Sequence, residues 1–585
     1  MSDLPPPEHV EAARRHNAEV ADDVVAALTQ VGIADVFVCP GSRSTPLVFA
    51  LERHHVRTTV LIDERVAGYA AVGAAQVGHP AAIVTTSGTA VANLLPGACE
   101  AEAAELPWVA VTADRPRALI GTGANQTLDQ LPLLQGPARV VMEVPAFTDA
   151  EQSRRERVGD LVFALRPVHV RRRGPVHLDV RFSKPLEPPA DHVITSTTAP
   201  ARDDEDLTFE RQLVEGLRQD LSQARRGLVI VGGLPLADRA PARRLVEALG
   251  WPAIVDVTSG LRRTSLPTVS AAVLRHADSA RALAPDVVLQ LGGTMTEEGV
   301  QRWLAALPTT STRVLQLKSG SEVRDPEGRV DVVVTAPSSV WSALTSAPPS
   351  ALASVVHRLD GAMRAAVDDV LAGSLSEPAV ARAVLASMRA GEVLLLGNSM
   401  PVRDADRYAD LAVDDVTIIS NRGVSGIDGT IATALGACLT SQRPTTAFVG
   451  DLAALHDLGG IAATQQAQAP LRIVVVNNAG GGIFSFLPVA GASSALVERY
   501  FGTPHEFSLA SIAAAMGLDA IRVDDLTALQ ACLATRPIRP ELIEVVTTRA
   551  DNVVVHQRLD AATADGCRAA LVALTTTSTD VVSSS

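Results

Sequence analysis

Two short apolar runs, Thr446–Val449 and Ile473–Val476, constrain the fold of this chain more than any other feature. Both runs contain β-branched residues and almost no polar ones, which is typical of strands buried on both faces of a parallel sheet. The segment between them has the length of one crossover helix. The pattern therefore predicts a β-α-β unit whose two strands end at the same edge of a sheet.

Polar residues follow each of these runs. Gly450 and Asp451 end the first, and Asn477 and Asn478 end the second. Ligands of parallel sheets gather at the carboxyl ends of the strands, so we expect Asp451 and Asn478 to lie side by side. A carboxylate, an amide oxygen and a nearby backbone carbonyl suit Mg²⁺.

Four glycines, Gly450 and Gly480–Gly482, would let the backbone approach a phosphate closely. Alone, Gly-Asp is often a turn and Asn-Asn often a loop. Together, at two strand ends one crossover apart, they predict a site that holds Mg²⁺ and a diphosphate.

Length and composition predict several α/β domains. A chain of 585 residues with 47% hydrophobic and 3% aromatic residues is too long for one core. Segments rich in Pro, Ser and Thr at 185–206 and 336–352 are expected to be linkers. The predicted boundaries are 1–190 for the first domain, 207–345 for the second and 355–574 for the third, with a disordered tail at 575–585.

Charge and cysteine content exclude some classes. The net charge is −14 without a long basic run, so nucleic acid is not an expected partner. No stretch reaches about 18 uninterrupted apolar residues, so no membrane span is expected. The five cysteines are scattered without a CxxC pair and are expected to be reduced and buried in a cytosolic protein.

Loops after predicted strands of the first domain carry candidate anion-binding residues. A helix is expected at 17–31, after a loose arm, and strands at 36–38, 60–62, 82–85, 108–112 and 176–180, with a cluster of helix-capping residues at 86–89. Ser42 and Arg43 follow one strand, Arg115 follows another, and Asn125 and Gln126 lie in a Gly-rich loop. Strand ends with Gly, Ser and Arg favour anion recognition, although a structural turn with a solvated Arg43 explains the first loop equally well.

Glu64 follows the apolar residues at 60–62 and opens an Ala-rich helical segment. An acid at this point usually interacts with the helix dipole. The alternative is a buried carboxylate that pairs with a cofactor.

The second and third domains repeat the strand–helix pattern. Strands are expected at 228–231, 253–256, 287–291 and 314–317, then at 393–396, 417–419 and 542–546, and a helix near 380–389. Gly232 and Gly233 lack the full GxGxxG spacing, so a dinucleotide site is not expected there. Three tandem α/β units suggest a diverged repeat of one fold.

Ten segments, in this order, resemble one enzyme family. They are CPGSRSTPL, DERVAGYAAVGAA, TSGTAVANLLP, TADRP, GANQ, GNSMPVRD, SNRGVSGIDG, GDLAALHDL, NNAGGGIF and TPHEF. Together they resemble the 2-succinyl-5-enolpyruvyl-6-hydroxy-3-cyclohexene-1-carboxylate (SEPHCHC) synthases of menaquinone biosynthesis, which belong to the thiamine diphosphate (ThDP)-dependent superfamily. One departure is Leu452, which stands where the GD…NN signature often has Gly.

The resemblance implies an architecture and a set of cofactors. The fold would be α/β, with three tandem doubly wound domains: pyrimidine-binding, central and diphosphate-binding. The cofactors would be ThDP and Mg²⁺, with Mn²⁺ as a substitute. Because Glu64 and the GD…NN residues lie in different domains, the minimum active unit would be a homodimer with its sites at the subunit interface, or a dimer of dimers.

The resemblance also implies residue roles. Glu64 would be catalytic, through a hydrogen bond to the pyrimidine ring of ThDP, and Ile427 would hold the cofactor in a bent shape. The metal ligands would be Asp451, Asn478 and the Gly480 carbonyl. The remaining cofactor contacts would be Ser399, Ser425, Gly426, Gly450, Leu452, Ile483 and Phe484.

The implied reaction is decarboxylation of 2-oxoglutarate followed by conjugate addition of the succinic semialdehyde unit to isochorismate. Both substrates carry two carboxylates, which Arg binds bidentately. Arg403 and Arg422, from third-domain loops, and Ser399 would hold 2-oxoglutarate. Ser42, Arg43, Arg115, Asn125 and Gln126 would hold isochorismate.

Two alternatives stay open at this point. One is another ThDP-dependent decarboxylase or carboligase, such as an acetohydroxyacid synthase, and the other is a non-catalytic nucleotide-binding α/β protein. One segment departs from the family pattern, because Glu297 and Glu298 stand where basic residues are common. Either this segment lies away from the site, or Arg302 or another cation compensates for the two acids.

Overall fold

The computed structural model describes residues 7–146, 154–166, 173–194, 208–262, 268–321, 323–344 and 347–582. The chain divides into two compact units. The first consists of residues 1–204, 421–445 and 456–471, and the second of residues 205–420, 446–455 and 472–585.

The first unit contains a six-stranded sheet with strand order β2-β1-β3-β4-β6-β5. The strands are β1 Asp35–Val38, β2 Arg57–Val60, β3 Ala81–Thr85, β4 Trp108–Asp114, β5 Val140–Val144 and β6 Pro175–Arg181. The helices are α1 Val10–Gln30, α2 Thr45–Arg53, α3 Glu64–Gln76, α4 Thr89–Ala92, α5 Leu95–Ala103, α6 Leu131–Gln135 and α7 Arg154–Ala164. Neighbouring strands pair in parallel, as between Val38 and Val84.

The second unit begins with a sheet of order β12-β11-β10-β7-β8-β9. Its strands are β7 Gly227–Val231, β8 Ala253–Val255, β9 Thr268–Val269, β10 Val287–Leu291, β11 Arg313–Lys318 and β12 Val332–Thr335. Its helices are α8 Thr208–Gly216, α9 Arg218–Ser222, α10 Leu236–Leu249, α11 Ala277–Ala282, α12 Gly299–Ala306 and α13 Ala353–Leu371. Val229 and Leu228, successive in β7, are buried in clusters on opposite faces, which explains the continuous apolar run.

The third sheet has the order β14-β13-β15-β16-β18-β17, the same connectivity as the first. Its strands are β13 Val393–Leu396, β14 Thr417–Ile419, β15 Thr445–Gly450, β16 Leu471–Asn477, β17 Asp519–Val523 and β18 Glu541–Val546. The helices after α13 are α14 Glu377–Ser387, α15 Met400–Tyr408, α16 Thr430–Ser441, α17 Asp451–His456, α18 Leu458–Ala463, α19 Ser494–Val497, α20 Leu509–Ala515, α21 Leu526–Ala534 and α22 Arg549–Val582.

The α/β class with three parallel sheets is confirmed. The predicted repeat of one fold applies to the first and third sheets only, because the middle sheet has the other doubly wound strand order. In the middle sheet, a Cβ on Gly232 would lie 2.0 Å from the Gly293 carbonyl oxygen. This glycine is therefore required for backbone-to-backbone packing.

Several predicted boundaries were wrong. Helix α1 begins at Val10, because Ala13 already contributes to the core. The strand expected at 60–62 is β2, Arg57–Val60, an edge strand whose Val60 is exposed. Strands β5, β9, β12 and β17 were missed; like β2 they lie at sheet edges and are only partly covered.

The expected linker and tail also differ from the structure. Within 336–352, residues Ser338–Ala343 form a 3₁₀ helix with Val340 and Trp341 in the core of the middle domain. Much of the 185–206 linker lies outside the described residues. Helix α22 runs to Val582 and includes most of the segment for which disorder was expected. Extending a formed helix costs less than starting one, so a Ser/Thr-rich end can continue it.

The burial of the cysteines agrees in part with the prediction. The five cysteines are free thiols, and Cys39, Cys438 and Cys567 are buried as expected, whereas Cys99 and Cys532 are only partly buried. Among the described helices none combines the length and apolar character that crossing a bilayer requires.

Helices α3 and α16, both in the first unit, pack with their backbones in close approach. A Cβ on Gly73 would lie 1.8 Å from the Thr433 carbonyl oxygen. A Cβ on Gly436 would lie 1.9 Å from the Ala70 carbonyl oxygen. Glycine on both helices therefore fixes their separation, and α3 is the helix that begins with Glu64.

We predict that Gly73→Ala lowers the free energy of unfolding by about 1–3 kcal/mol, because α3 and α16 must move apart to admit the methyl group. Gly361→Ala in α13 is the control, since a Cβ at that position would have nothing within 4 Å. It should be neutral or stabilising by up to about 1 kcal/mol. Thermal and urea unfolding measure both, and equal stabilities of Gly73→Ala and wild type would contradict the packing argument.

Candidate functional site

Asp451 and Asn478 meet at the carboxyl ends of β15 and β16, which are neighbours in the third sheet. Asp451 Oδ2 accepts a hydrogen bond from the Gly480 amide at 2.9 Å, and its Oδ1 accepts one from the Leu452 amide at 2.7 Å. Both Asp451 and Asn478 are buried. The sequence-based expectation that these strand ends converge agrees with this geometry.

The Asn478 side chain has one satisfied end and one unsatisfied end. Its Nδ2 donates to Glu377 Oε1 at 2.8 Å. Its Oδ1 is buried and has no hydrogen-bond partner. A buried amide oxygen without a donor is costly unless a ligand completes it, and a hard cation does so. The residues present therefore fit a bound divalent metal.

The predicted metal ligands differ from those of a carboxylate-rich site. Within the described residues, no group of three or more His, Cys, Asp or Glu side chains is arranged to hold a metal. The predicted set contains one carboxylate, one amide and one carbonyl. Such a set leaves room in the coordination shell for phosphate oxygens, which is how Mg²⁺ usually binds.

His505 and Glu377 belong to this cluster but were not among the predicted site residues. His505 Nε2 lies 3.2 Å from Asp451 Oδ2. Glu377 is the first residue of α14, and its Oε1 also accepts from Thr547 Oγ1 at 3.3 Å. The TPHEF segment contains His505 and was a usable signal, whereas nothing in the local sequence marks Glu377.

Burial is the largest influence on the pKa values of Asp451 and Glu377. It raises the pKa of Asp451, and the hydrogen bonds from Gly480, Leu452 and His505 oppose that rise. Burial, together with the nearby Asp404 carboxylate, raises the pKa of Glu377 to about 8. Several acids without a compensating cation raise one another's pKa, and a divalent cation would favour their ionised forms.

The glycines after Asn478 make room for the protein's own chain. A Cβ on Gly480, where φ is 142°, would lie 2.1 Å from the Gly502 carbonyl oxygen, and one on Gly481 would lie 2.3 Å from the Phe501 carbonyl oxygen. The Gly481 amide donates to Gly502 O at 2.8 Å. The sequence predicts that these glycines admit a phosphate, but the close approach is that of residues 501–502. Gly450 alone faces open space.

The remaining predicted cofactor contacts of this unit follow strands β13, β15 and β16. Leu452, Ile483 and Phe484 are half-buried, and the Phe484 ring lies 5.3 Å from the Phe501 ring. Ser399 has a positive φ of 70° and is the N-cap residue of α15. A serine in this strained region marks a backbone fixed by its surroundings, which is common at functional sites.

Arg403 lies in α15 and not in a loop, contrary to the prediction, because the helix begins directly after Ser399. Its Nη1 donates to the Ser399 carbonyl oxygen at 2.8 Å, and its Nη2 lies 3.5 Å from Glu298 Oε1. Glu297 pairs with Arg407 at 2.9 Å. The two acids of the middle domain are thus balanced by arginines of α15, whereas Arg302, the other candidate cation, is exposed.

In the first unit, Glu64 begins α3 and is only half-buried, so the expectation of a buried carboxylate was wrong for the single chain. The preceding strand is at the sheet edge and does not cover it. Asn93 Nδ2 donates to Glu64 Oε2 at 3.1 Å. Helix α3 is capped by Asp63, whose side chain accepts from the Arg65 amide. Glu64 is thus the first residue of α3, where an acid interacts favourably with the helix dipole as the first interpretation has it, while Asp63 is the cap.

Residues 421–429, which include Arg422, Ser425, Gly426 and Ile427, form a loop in the first unit before α16. Glu100 of α5 holds this loop. Its buried carboxylate accepts from the Gly423 amide at 2.8 Å and the Val424 amide at 2.9 Å. Burial raises the pKa of Glu100, and the nearby Arg422 opposes that rise. Ser425 is exposed with φ 61°, and Ile427 is half-buried.

Residues predicted to bind isochorismate divide into exposed and buried groups. Ser42, Asn125 and Gln126 are exposed. Arg43 is buried and donates to the Phe182 carbonyl oxygen at 2.8 Å. Arg115 is also buried, donates to Gln126 O at 2.7 Å and contacts Ser87 Oγ. Both arginines thus have bonds within the first domain, which corrects the picture of a solvated Arg43.

The expected capping cluster at 86–89 has a different role. The N-cap of α4 is Gly88, with φ 87° and no side-chain capping bond. Its amide donates to Gln130 Oε1 at 2.8 Å. Ser87 O accepts from Gln126 Nε2 at 2.9 Å. The segment therefore anchors the Gly-rich loop.

Beneath this loop lies a buried polar network. Gln130 Nε2 donates to Asp179 Oδ1 at 2.7 Å, and Thr112 Oγ1 contacts Asp179 and His177 Nε2 at 2.9 and 2.8 Å. Burial raises the pKa of Asp179 to about 7, with Asp114 as the next cause. Burial lowers the pKa of His177 to about 4.

Three protein-family models match the chain in succession. They are "Thiamine pyrophosphate enzyme, N-terminal TPP binding domain" over residues 18–133, "Middle domain of thiamine pyrophosphate" over 209–396 and "Thiamine pyrophosphate enzyme, C-terminal TPP binding domain" over 404–545. These ranges follow the three sheets in order. The fold and the site therefore define a ThDP-dependent enzyme.

Similar proteins of known name indicate which family of ThDP-dependent enzymes the chain belongs to. A protein of Rubrobacter xylanophilus is 36% identical over 583 residues, covering 92% of this chain and 96% of the relative. One of Salinibacter ruber is 37% identical over 581 residues, and one of Thermobifida fusca is 36% identical over 560 residues, with 95% and 98% of those relatives covered. All three are named SEPHCHC synthase. The chain belongs to the SEPHCHC synthase family, ThDP-dependent transferases that form carbon–carbon bonds.

We predict that His177 makes the protein acid-labile. Between pH 6.5 and about 4, the unfolded chain binds a proton at this residue that the folded chain does not, so stability falls as the pH is lowered through this window. Asp179, with its raised pKa, contributes with the opposite sign. His177→Gln should flatten the loss of urea-unfolding free energy from pH 6.5 to 4.5, whereas His79→Gln, at an exposed site, should not. Parallel pH profiles for wild type and His177→Gln would contradict this.

Proposed function

We propose that this protein catalyses decarboxylation of 2-oxoglutarate and conjugate addition of the resulting succinic semialdehyde unit to isochorismate, giving SEPHCHC and CO₂ in menaquinone biosynthesis. The observation that carries the proposal is that eight curated relatives, 31–37% identical along most of their length, share the name SEPHCHC synthase. The domain boundaries proposed are 1–190, 207–345 and 355–574.

A divalent metal, Mg²⁺ with Mn²⁺ as a substitute, would bind Asp451, Asn478 and the Gly480 carbonyl oxygen. The unsatisfied Oδ1 of Asn478 supports this assignment. Gly450, with open space beside it, would accept the diphosphate against the backbone. Bound ThDP would supply an acidic ring carbon as the nucleophile toward a 2-oxoacid and a cationic ring as the sink for the electron pair left by CO₂.

Glu64 would be the catalytic residue. Asn93 occupies its Oε2, which leaves Oε1 to hold and release a proton opposite a cofactor ring nitrogen. Ile427 would support the bent cofactor, with Ser425 and Gly426 beside it, while Leu452, Ile483 and Phe484 would exclude water. These side chains orient the cofactor and keep its surroundings dry.

The arginines would recognise the substrate carboxylates. Arg403 and Arg422, with Ser399, are proposed to bind 2-oxoglutarate. Arg403 faces Glu298, whose side chain is 74% exposed, so a substrate carboxylate can replace that weak surface pair. Ser42, Asn125 and Gln126 would contact isochorismate, and Arg43 and Arg115 would supply positive charge from beneath the loops.

The competing proposal is a ThDP enzyme for other 2-oxoacids, such as an acetohydroxyacid synthase. Those enzymes take smaller and less anionic substrates, so the number of arginines at these positions favours the dicarboxylate pair. The two candidates differ in the substrate that disappears.

We predict that wild-type protein with ThDP, Mg²⁺ and 2-oxoglutarate consumes isochorismate, followed by its absorbance. Glu64→Gln should still bind ThDP but lose at least about 100-fold in kcat, because general acid–base catalysis contributes on that scale. Glu105→Gln, in the turn after α5 and outside the proposed site, is a control that should retain activity. Activity with pyruvate and none with isochorismate would favour the competing proposal, and full turnover by Glu64→Gln would remove Glu64 from its role.

The proposed active unit is a homodimer in which Glu64 of one copy and Asp451 of the other complete each site. Glu64 belongs to the first unit of the chain and Asp451 to the second, which makes sharing between copies possible. A dimer of dimers would contain the same pair of sites.

We predict that two inactive variants, Glu64→Gln and Asp451→Asn, restore activity when mixed. Random exchange of subunits makes half of the dimers mixed, and each mixed dimer has one intact site, so about a quarter of wild-type activity should return. Mixing is done after dilution and reassociation, with size-exclusion chromatography to verify exchange. Verified exchange without recovered activity would show that each site is built from one chain.

A further inference from the structure

Glu377 connects two strand ends of the third sheet beside Asp451 and Asn478. It is the first residue of α14, and its side chain is buried. Its Oε1 accepts from Asn478 after β16 and from Thr547 after β18, two strands that pair in register up to their last residues. Burying a carboxyl group costs free energy unless hydrogen bonds within the protein compensate for the lost contacts with water.

The consequence of this bond is a defined orientation of the Asn478 amide. A side-chain amide can place either its NH₂ group or its oxygen toward a given neighbour, and the two choices are nearly equal in shape. Glu377 Oε1 accepts Nδ2, so Oδ1 points to the opposite side, where it is buried without a partner. The reverse orientation would bring NH₂ toward a cation and oxygen toward an oxygen.

We propose that Glu377 is a positioning residue that holds the Asn478 amide with its oxygen toward the divalent cation. Outer-shell partners that orient a metal ligand typically change metal affinity by about 10–100-fold when they are removed. This inference rests on the proposed metal site at Asp451, Asn478 and Gly480, and it assigns no contact between Glu377 and the metal itself.

The neighbouring asparagine shows what a purely structural arrangement looks like. Asn477 Nδ2 donates to Glu544 Oε1 at 2.6 Å, and its Oδ1 accepts from the Ala479 amide at 3.0 Å. Both ends of that amide are satisfied within the protein. Asn478 has the same kind of carboxyl partner but an unsatisfied oxygen, which is the difference expected between a structural amide and a ligand.

Two conservative variants separate hydrogen bonding from charge. Glu377→Gln keeps the length of the side chain and, with its amide oxygen toward Asn478 Nδ2 and Thr547 Oγ1, an acceptor for both bonds that Glu377 Oε1 makes. Glu377→Asp keeps the charge but withdraws the oxygen by about one bond length, which breaks a 2.8 Å contact. If Glu377 contributed only charge or stability, Glu377→Asp should retain more of the wild-type Mg²⁺ binding than Glu377→Gln. If Glu377 positions Asn478, Glu377→Gln should retain more.

The measurement is calorimetric binding of ThDP to the metal-free full chain at increasing Mg²⁺, with no substrate present. We expect Glu377→Gln to need a Mg²⁺ concentration within about 3-fold of wild type, and Glu377→Asp to need about 10–100-fold more. Glu392→Asp is the matched control, because Glu392 is a buried carboxylate at the opposite, amino end of β13 and bonds the Arg389 amide and Arg536. Its Mg²⁺ requirement should match wild type.

The outcomes are distinguishable. Equal Mg²⁺ requirements for wild type and Glu377→Asp, or a loss in Glu377→Gln as large as in Glu377→Asp, would overturn the positioning role. Should Glu377→Asp fail to fold, Glu377→Gln still decides, since it must retain the wild-type requirement. If wild-type protein binds ThDP without any dependence on Mg²⁺, the proposed metal site fails instead.

Discussion

The unsatisfied oxygen of a buried amide is the constraint on which this site depends. Asn478 Oδ1 has no protein partner, although the amide around it is fixed by Glu377 and the adjoining loop is fixed by the bond from Gly480 to Asp451. Protein interiors rarely leave such an atom uncompensated. The third sheet, its glycine loop and helix α14 thus leave one buried acceptor open, as the proposed metal site requires.

Several loops of the protein are held in place by hydrogen bonds to buried carboxylates. Glu100 holds the 421–429 loop through two backbone amides, and Glu544 holds Asn477 and the start of α20. Each is hidden from water, so its hydrogen bonds compete with no solvent and keep loops in place. The candidate substrate and cofactor loops are therefore supported by acids that are themselves remote in sequence.

The arginines illustrate how such a protein manages charge. The overall charge is −14, yet Arg43 and Arg115 are buried and bonded within the first domain, and Arg403 and Arg407 of α15 face Glu298 and Glu297. The arginines Arg43, Arg115 and Arg403, which are proposed to bind anions, are thus held by backbone carbonyls, and Arg403 also faces an acid. The departure of Glu297 and Glu298 from the family pattern is explained by their pairing with α15.

Local sequence determined the central strands, because four or five β-branched and aliphatic residues in a row fit a sheet that is covered on both faces. It also determined that Asp451 and Asn478 converge, because the carboxyl ends of parallel strands lie at one edge of a sheet. It also determined the enzyme family through ten short segments. In the prediction, edge strands β2, β5 and β17 were shifted or missed because partial burial weakens their apolar pattern, and the edge strands β9 and β12 of the middle sheet were missed as well. Only the tertiary structure decided which side chains complete the site. Glu377 contacts Asn478 across 101 positions of sequence, and Glu100 contacts Gly423 across 323. Gly480 and Gly481 are required by the close approach of residues 501–502. Such contacts depend on how the chain packs, so the nearby sequence carries no pattern that predicts them.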